Sequence, residues 1–328
     1  MRIAVTGSIA TDHLMTFPGR ITGQLLADRL DHVSLSFLVD SLEVRDGGVA
    51  ANIAYGLAAL GHRPLLVGAV GTDFDRYGRR LADQGVDISA VHVSATRHTA
   101  RFLCTTDQDG NQIASFYPGA MSEAAAIELA DVVSDHGGID LVHVGADEPA
   151  AMLRHTRACR ALALRFIADP SQQLARLDGE QIRELVAGAD HLFTNAYERG
   201  LLLAKSGWTR ADVLGQVGTW VTTLGDKGSR IERAGEPVLD VPAVAGATIA
   251  DPTGVGDAFR AGYLASFAKN ENPVACAQAG SALAALALSS VGTQTYTASP
   301  ALLRDLLTTA YVAADRSMAN LPPGGARP

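Results

Sequence analysis

Short apolar runs alternate with helix-length segments along most of this chain, and that rhythm admits few folds. Arg2 to Thr6, Leu65 to Val70, Leu141 to Gly145, Leu164 to Asp169, Asp190 to Thr194 and Trp220 to Leu224 each read as a buried strand. Helical stretches of roughly ten or more residues stand between them. Parallel strands require such crossovers, so the pattern predicts an α/β fold: a central, mostly parallel sheet with helices on both faces, in three αβα layers. The chain has 328 residues and 47% hydrophobic content, enough for one large core, and the expectation is a single domain over 1–328.

One region breaks the rhythm. Thr99 to Thr106 and Gln112 to Phe116 are strand-like but are joined only by Asp-Gln-Asp-Gly-Asn, a hairpin signal with turn residues in its middle. With Val33 to Val44 they predict a small sheet projecting from the core as a lid, built from segments near 13–46 and 97–118. Gly7 to Asp12 reads as a polar loop at the carboxyl end of the first strand, where open α/β sheets bind ligands. Asp46-Gly47-Gly48 leads into a helical stretch, Ala50 to Leu60, and Pro322 to Pro328 closes a tail, 320–328, that can sustain neither helix nor strand.

The chemistry is concentrated in Asp251-Pro-Thr-Gly-Val-Gly-Asp-Ala-Phe259, two glycines and two carboxylates running straight into a helix. Gly254 and Gly256 let consecutive N–H groups turn into one concavity, and such a nest at a helix N-terminus attracts phosphate. Asp257 beside it can take a proton from an acceptor hydroxyl as a phosphoryl group is transferred. Taken alone, the same aspartate reads equally well as an N-cap. Asn195 and Glu198 share one face of a helical turn at i and i+3, directly after a strand.

The loop resembles the signature Asp-Thr-x-Gly-Ala-Gly-Asp of the ribokinase or PfkB family of carbohydrate and nucleoside kinases, with Pro252 and Val255 as departures. The resemblance implies that Asp257 is the catalytic base and that the amides of Gly254, Val255 and Gly256 bind the transferring phosphoryl group. It implies that Asp251 helps to shape a monovalent-cation site, occupied by K⁺. Asn195-Ala-Tyr-Glu198 is similar to the family's second motif, which positions Mg²⁺ through water and contacts ATP. Thr223, Gly225 and Gly228 resemble the nucleotide-binding stretch, to which Thr253 and Gly254 add. Gly48 and Asn52 match positions that meet the sugar hydroxyls of the substrate. Longer strings, among them Gly7 to Leu14, Ile113 to Glu123 and Asp169 to Leu177, are similar to the actinobacterial branch of adenosine kinases. That likeness implies 5′-phosphorylation of adenosine to AMP in purine salvage. Asp12 and Asn52 would hold the ribose hydroxyls, Phe102 and Phe116 would stack on the purine, Gln172 and Gln173 would read its edge, and Ser8 and Arg176 complete the expected substrate-binding set. It also implies a homodimer formed through the lid. Another nucleoside, or a sugar, phosphorylated on the same scaffold is the alternative, followed by a non-catalytic nucleoside sensor.

The bulk properties narrow the partners. A formal charge of −8 argues against nucleic acid, whose phosphates require a basic face. Cys104, Cys159 and Cys276 are odd in number and far apart, as reduced thiols are, and no apolar run is long enough to span a bilayer. With no signal sequence ahead of the first strand, the expected location is the cytoplasm. There is no Gly-x-x-x-x-Gly-Lys loop, no third glycine for a dinucleotide fingerprint and no zinc motif. His13, His98, His143 and His191 are scattered and read as structural or exposed.

Overall fold

A computed structural model describes residues 1–25 and 34–312; the expected tail and Val33 lie outside the described residues. In chain order the strands are β1 (Ile3–Thr6), β2 (Ala10–Thr16), β3 (Ser41–Gly47), β4 (Leu65–Gly71), β5 (Asp87–Ser94), β6 (Ala100–Thr106), β7 (Gln112–Tyr117), β8 (Leu141–Val144), β9 (Arg165–Ala168), β10 (His191–Asn195), β11 (Thr219–Thr223), β12 (Ser229–Glu232) and β13 (Leu239–Val241). The helices are α1 (Val49–Ala59), α2 (Asp75–Asp83), α3 (Leu129–His136), α4 (Pro149–Ala161), α5 (Gly179–Val186), α6 (Ala196–Ser206), α7 (Arg210–Leu214), α8 (Val255–Phe267), α9 (Pro273–Leu288) and α10 (Pro300–Leu307).

Nine strands form the central sheet in the order β13-β12-β11-β10-β9-β8-β1-β4-β5. All pairings from β5 to β11 are parallel, and only the β11–β12 and β12–β13 pairs at one edge are antiparallel. Alternation along single strands explains the two helical layers. Ile3 and Val5 of β1 face the core formed with α1, α2, α8, α9 and α10, while Ala4 between them faces the core formed with α3 to α7. Because β4 lies on one side of β1 and β8 on the other, the strand order reverses at β1. The carboxyl ends of β1 and β8 lie side by side at this reversal, the position at which sheets of this kind take their ligands.

The second sheet has four strands in the order β3-β2-β6-β7, with β2 and β6 parallel and the outer pairs antiparallel. Two sequence expectations are corrected here. The predicted loop Gly7 to Asp12 stops at Ile9, and Asp12 lies on β2. The strand expected over Val33 to Val44 instead starts at Ser41 and runs through Asp46 to Gly47. The reason is pairing: Ala10 is opposite Gly47 and Thr16 opposite Ser41, so β2 sets the start and end of β3. Charged residues Glu43, Arg45 and Asp46 sit in this strand because ion pairs meet their charges. Such a strand carries no apolar signal of its own.

Gly48 shows how the two sheets are joined. It caps α1 with φ 98°, and a Cβ there would lie 2.6 Å from Ala10 N and Ser8 O, so only glycine fits between β3 and α1.

Candidate active site

Gly254 adopts a left-handed φ of 74° and caps α8, pressed so closely on Thr293 that a Cβ would lie 2.8 Å from its methyl group. That turn starts the helix at Val255 and leaves N–H groups free. Among the described residues, the N–H groups of Gly254, Gly256 and Asp257 donate to no protein acceptor, and that of Val255 reaches Pro252 O only at 3.4 Å. Unpaired donors therefore converge with the positive end of the helix dipole.

Asp257 stands on the first turn of this helix, enclosed by protein but with part of its surface still accessible. Its Oδ2 accepts a hydrogen bond from Asn52 Nδ2 at 2.8 Å, which links α8 to α1. Burial raises its pKa to about 6; Asn52 and Arg260 pull it down, and Asp169 and Glu198 push it up further. The balance leaves a carboxylate that is ionised at neutral pH yet basic enough to accept a proton.

Arg260, one turn along α8, is buried and pairs with Asp169 at the end of β9, Nη2 to Oδ1 being 2.6 Å. His143 Nε2 lies 3.1 Å from the other carboxylate oxygen, Oδ2. Burial alone would raise Asp169, but the Arg260 charge and these hydrogen bonds hold it at about 2. Asn195 and Glu198 form a capping box at the start of α6: Glu198 N donates to Asn195 Oδ1 at 2.8 Å, and Asn195 N and Nδ2 each donate to Glu198, also at 2.8 Å. Glu198 is buried and its pKa is raised by that burial, against the lowering charge of Arg260.

Asn195 is directly opposite Thr223 across β10 and β11, so the two expected nucleotide contacts share one sheet edge, with Gly225 and Gly228 in the turn that follows. Trp220 braces this edge from below, donating from Nε1 to Thr194 Oγ1 at 2.9 Å, with the Arg199 guanidinium over its ring. Among the described residues no group of three or more His, Cys, Asp or Glu could hold a metal directly. Glu198 already accepts from Asn195 through both oxygens, which fits a magnesium held through its own waters and not by direct ligation.

On the acceptor side, Ser8 Oγ takes the Val49 N–H at 3.1 Å and so pins the start of α1, which carries Asn52. Arg45, Asp12, Phe102 and Phe116 form one row across the small sheet and therefore lie on one face of it. Arg45 reaches Asp251 Oδ2 at 3.2 Å, which turns this face toward the signature loop. Phe102 is half-buried and Phe116 about half exposed. Burial raises the pKa of Asp12, opposed by Arg45.

The remaining expected residues are placed differently. Gln172, Gln173 and Arg176 follow β9 on and just after a short turn of helix, Ser171–Ala175. Gln173 turns inward and is buried, so of the three only Gln172 and Arg176 are exposed. No hydrogen bond among the described residues joins any of them to Asp12 or Asn52. Asp251 is also committed: it accepts from Thr253 N at 2.9 Å and Gly292 N at 3.0 Å, and the cation beside it is Arg45. Asp251 therefore faces a guanidinium that is itself shared with Glu43.

Sequence reasoning passed over Asp169, Arg260 and Gln294. Asp169 had one signal, its place at a strand's carboxyl end, and Arg260 had only its i+3 spacing from Asp257. Gln294, whose Nε2 donates to Asn52 Oδ1 at 2.8 Å, had none.

Comparison with known proteins adds to this geometry. The profile of the pfkB family carbohydrate kinases matches residues 11–300. Among curated proteins, a nucleoside kinase of Methanothermobacter thermautotrophicus is 30% identical over 82% of this chain and 86% of its own length. A nucleoside kinase of Methanocaldococcus jannaschii is 27% identical over 90% of this chain and 92% of its own. Among solved structures, ligand-free nucleoside kinase of Burkholderia thailandensis superposes with a TM-score of 0.84 at 33% identity, covering 93% of this chain and 99% of that one. The same kinase with inosine bound gives 0.82 at 32% identity, with 94% and 98% covered. The ribokinase-like α/β fold is thus shared.

Proposed function

We propose that this chain, which belongs to the pfkB family of carbohydrate kinases, transfers the terminal phosphoryl group of ATP to the 5′-hydroxyl of a purine nucleoside, with adenosine as the preferred acceptor. The observation that carries the reading is the convergence at the start of α8 of unpaired N–H groups and a carboxylate raised to about 6. Relatives that are nucleoside kinases over most of their length support a nucleoside over a free sugar. The aromatic pair Phe102 and Phe116, on the sheet face turned toward the loop, supports a base, since a sugar alone offers no ring to stack.

In this reading Asp257 accepts the proton of the attacking hydroxyl, and the amides of Gly254 to Asp257 meet the charge spread over the transferring group. Asn195 and Glu198 would hold Mg²⁺ through its waters, and Mg²⁺ supplies charge neutralisation at the phosphates when bound. Arg260 supplies fixed positive charge behind the base. Asp12 and Asn52 orient the ribose, and closure of the small sheet as a lid keeps water from the phosphoryl group.

A panel of adenosine, guanosine, inosine, cytidine, ribose and fructose, followed by coupled ADP release, tests this. Adenosine should give the highest kcat/KM. Fastest turnover of ribose or fructose would overturn the nucleoside reading, and no ADP release with any acceptor would overturn the kinase reading. Phe116→Ala should weaken adenosine more than ribose, by about 1–3 kcal/mol if stacking is direct. The opposite face of the small sheet exposes Leu42 and Val44 at its β3 edge and Ile113 at its β7 edge, and we propose that a second copy covers this face as a homodimer. Light scattering showing a monomer at working concentration would exclude that.

A further inference from the structure

Asn52 can help Asp257 only if its NH₂ end faces the carboxylate, and a free amide could equally turn its oxygen there. The residues behind it remove that freedom. Asn52 Oδ1 accepts from Gln294 Nε2 at 2.8 Å, so a flipped Asn52 would set donor against donor at one end and oxygen against carboxylate at the other. Gln294 is fixed in turn. Its Oε1 accepts from Arg80 Nη2 at 2.6 Å, and a guanidinium can only donate. Its Nε2 also donates to the Tyr77 hydroxyl at 2.6 Å, whose own proton goes to the Gly47 carbonyl at 2.9 Å. Arg80 is anchored by Asp46, Nε to Oδ2 being 2.9 Å. Gln294 and Tyr77 are buried, so water cannot stand in for a lost partner without entering the core.

We propose that Gln294, oriented by Arg80 and Tyr77, is a positioning residue that keeps the Asn52 amide turned NH₂-first toward Asp257 and so holds that carboxylate in its working state. The chain of donors runs in one direction only, from a guanidinium on α2 to the carboxylate on α8, and each link has one allowed orientation. The proposal rests on the reading that Asp257 is the base. Besides Asn52, the charged and titratable groups facing Asp257 are Arg260 on its own helix, Asp169 after β9, Glu198 on α6 and Tyr296 after α9, and Gln294 touches none of these through a hydrogen bond.

The test is Gln294→Met, neutral and of similar volume, in the full chain. Two readouts are followed: the titration of the Asp257 carboxyl by carbon NMR, assigned by its loss in Asp257→Asn, and the acid limb of kcat/KM for adenosine. Without the hydrogen bond directed at it, the Asp257 midpoint should rise by about one unit. That is about a tenfold loss of kcat/KM on the acid side and little loss at high pH. Arg80→Gln, changed at the half-exposed end where either orientation becomes possible, should move both readouts the same way by a smaller amount. It keeps the test alive if Gln294→Met does not fold. Midpoints within about 0.2 units of wild type in every variant that folds would overturn the proposal. A loss of kcat/KM equal at every pH would do so too, since a merely structural role predicts it. The titration separates the two claims: a shifted midpoint in a protein that phosphorylates nothing would retire the base and keep the positioning, while an unshifted one in an active kinase would do the reverse.

Discussion

Asp169 at the end of β9 and Asp257 at the start of α8 lie around one guanidinium, that of Arg260, and both are closely packed by protein. Asp169 takes Arg260 directly and His143 besides, and these partners outweigh the cost of its burial, leaving it at about 2. Asp257 receives one neutral hydrogen bond, from Asn52, and senses Arg260 only at a distance, so burial wins and it rises to about 6. The same cation therefore makes one carboxylate a permanent anion and leaves the other able to exchange a proton. What distinguishes them is the number and charge of direct donors, not depth alone.

The comparison breaks most readily at Arg260. Arg260→Met would leave Asp169 buried without its cation, and removing one partner of a buried ion pair typically costs about 3–5 kcal/mol. Urea unfolding at neutral pH should show a loss of that order, shrinking at low pH as Asp169 becomes protonated. An unchanged midpoint with a large fall in kcat would mean that Arg260 serves Asp257 first, and the division of labour drawn above would be wrong.

Asp257→Asn should do the reverse. Turnover with adenosine should fall by about 10²-fold or more, equivalent to about 2.7 kcal/mol of barrier, while the thermal midpoint does not fall. Asp169→Asn, by contrast, should lower the thermal midpoint. If the two variants lost activity and stability in equal proportion, the carboxylates would be one unit and not two.

This division was only partly legible in the sequence. Asp257 and the glycines beside it stand out because a left-handed turn, a helix start and a carboxylate lie within a few consecutive residues, and local periodicity shows the central sheet in the same way. Asp12 was misplaced because β2 belongs to an open sheet. There Thr11, Asp12 and His13 look like a loop by polarity, and the pairing that makes them a strand lies far away at β6. Arg260 and Asp169 are 91 residues apart, and Gln294 and Asn52 are 242 apart, so no local pattern could join either pair. The short antiparallel edge, β12 and β13, is too brief for alternation to register. Buried polar networks are the part of this fold that sequence pattern conveys least, because each partner comes from a different element.

The smallest effect expected is in the pH dependence of the two carboxylates, and there the signs are opposite. Asp257 has a folded-state pKa raised from 3.8 to about 6, so folding disfavours its ionised form. Relative to Asp257→Asn, the wild type should lose stability as pH rises from about 4 to about 6 and keep a constant deficit above that. Asp169 has a folded-state pKa lowered from 3.8 to about 2, so its contribution is complete above about 4 and is lost as pH falls through that interval. Because Asp257 keeps an accessible face, solvent should reduce its share to a change on the order of a degree or two in thermal midpoint. Differential scanning of wild type and Asp257→Asn between pH 4 and pH 8 would resolve it. The kinetic counterpart has the same origin: kcat/KM should fall tenfold per unit as pH drops below about 6, and that limb should be absent from the residual activity of Asp257→Asn. A limb retained in the variant would assign the titration to another group and remove the base from the comparison, while Asp169 kept its place in it.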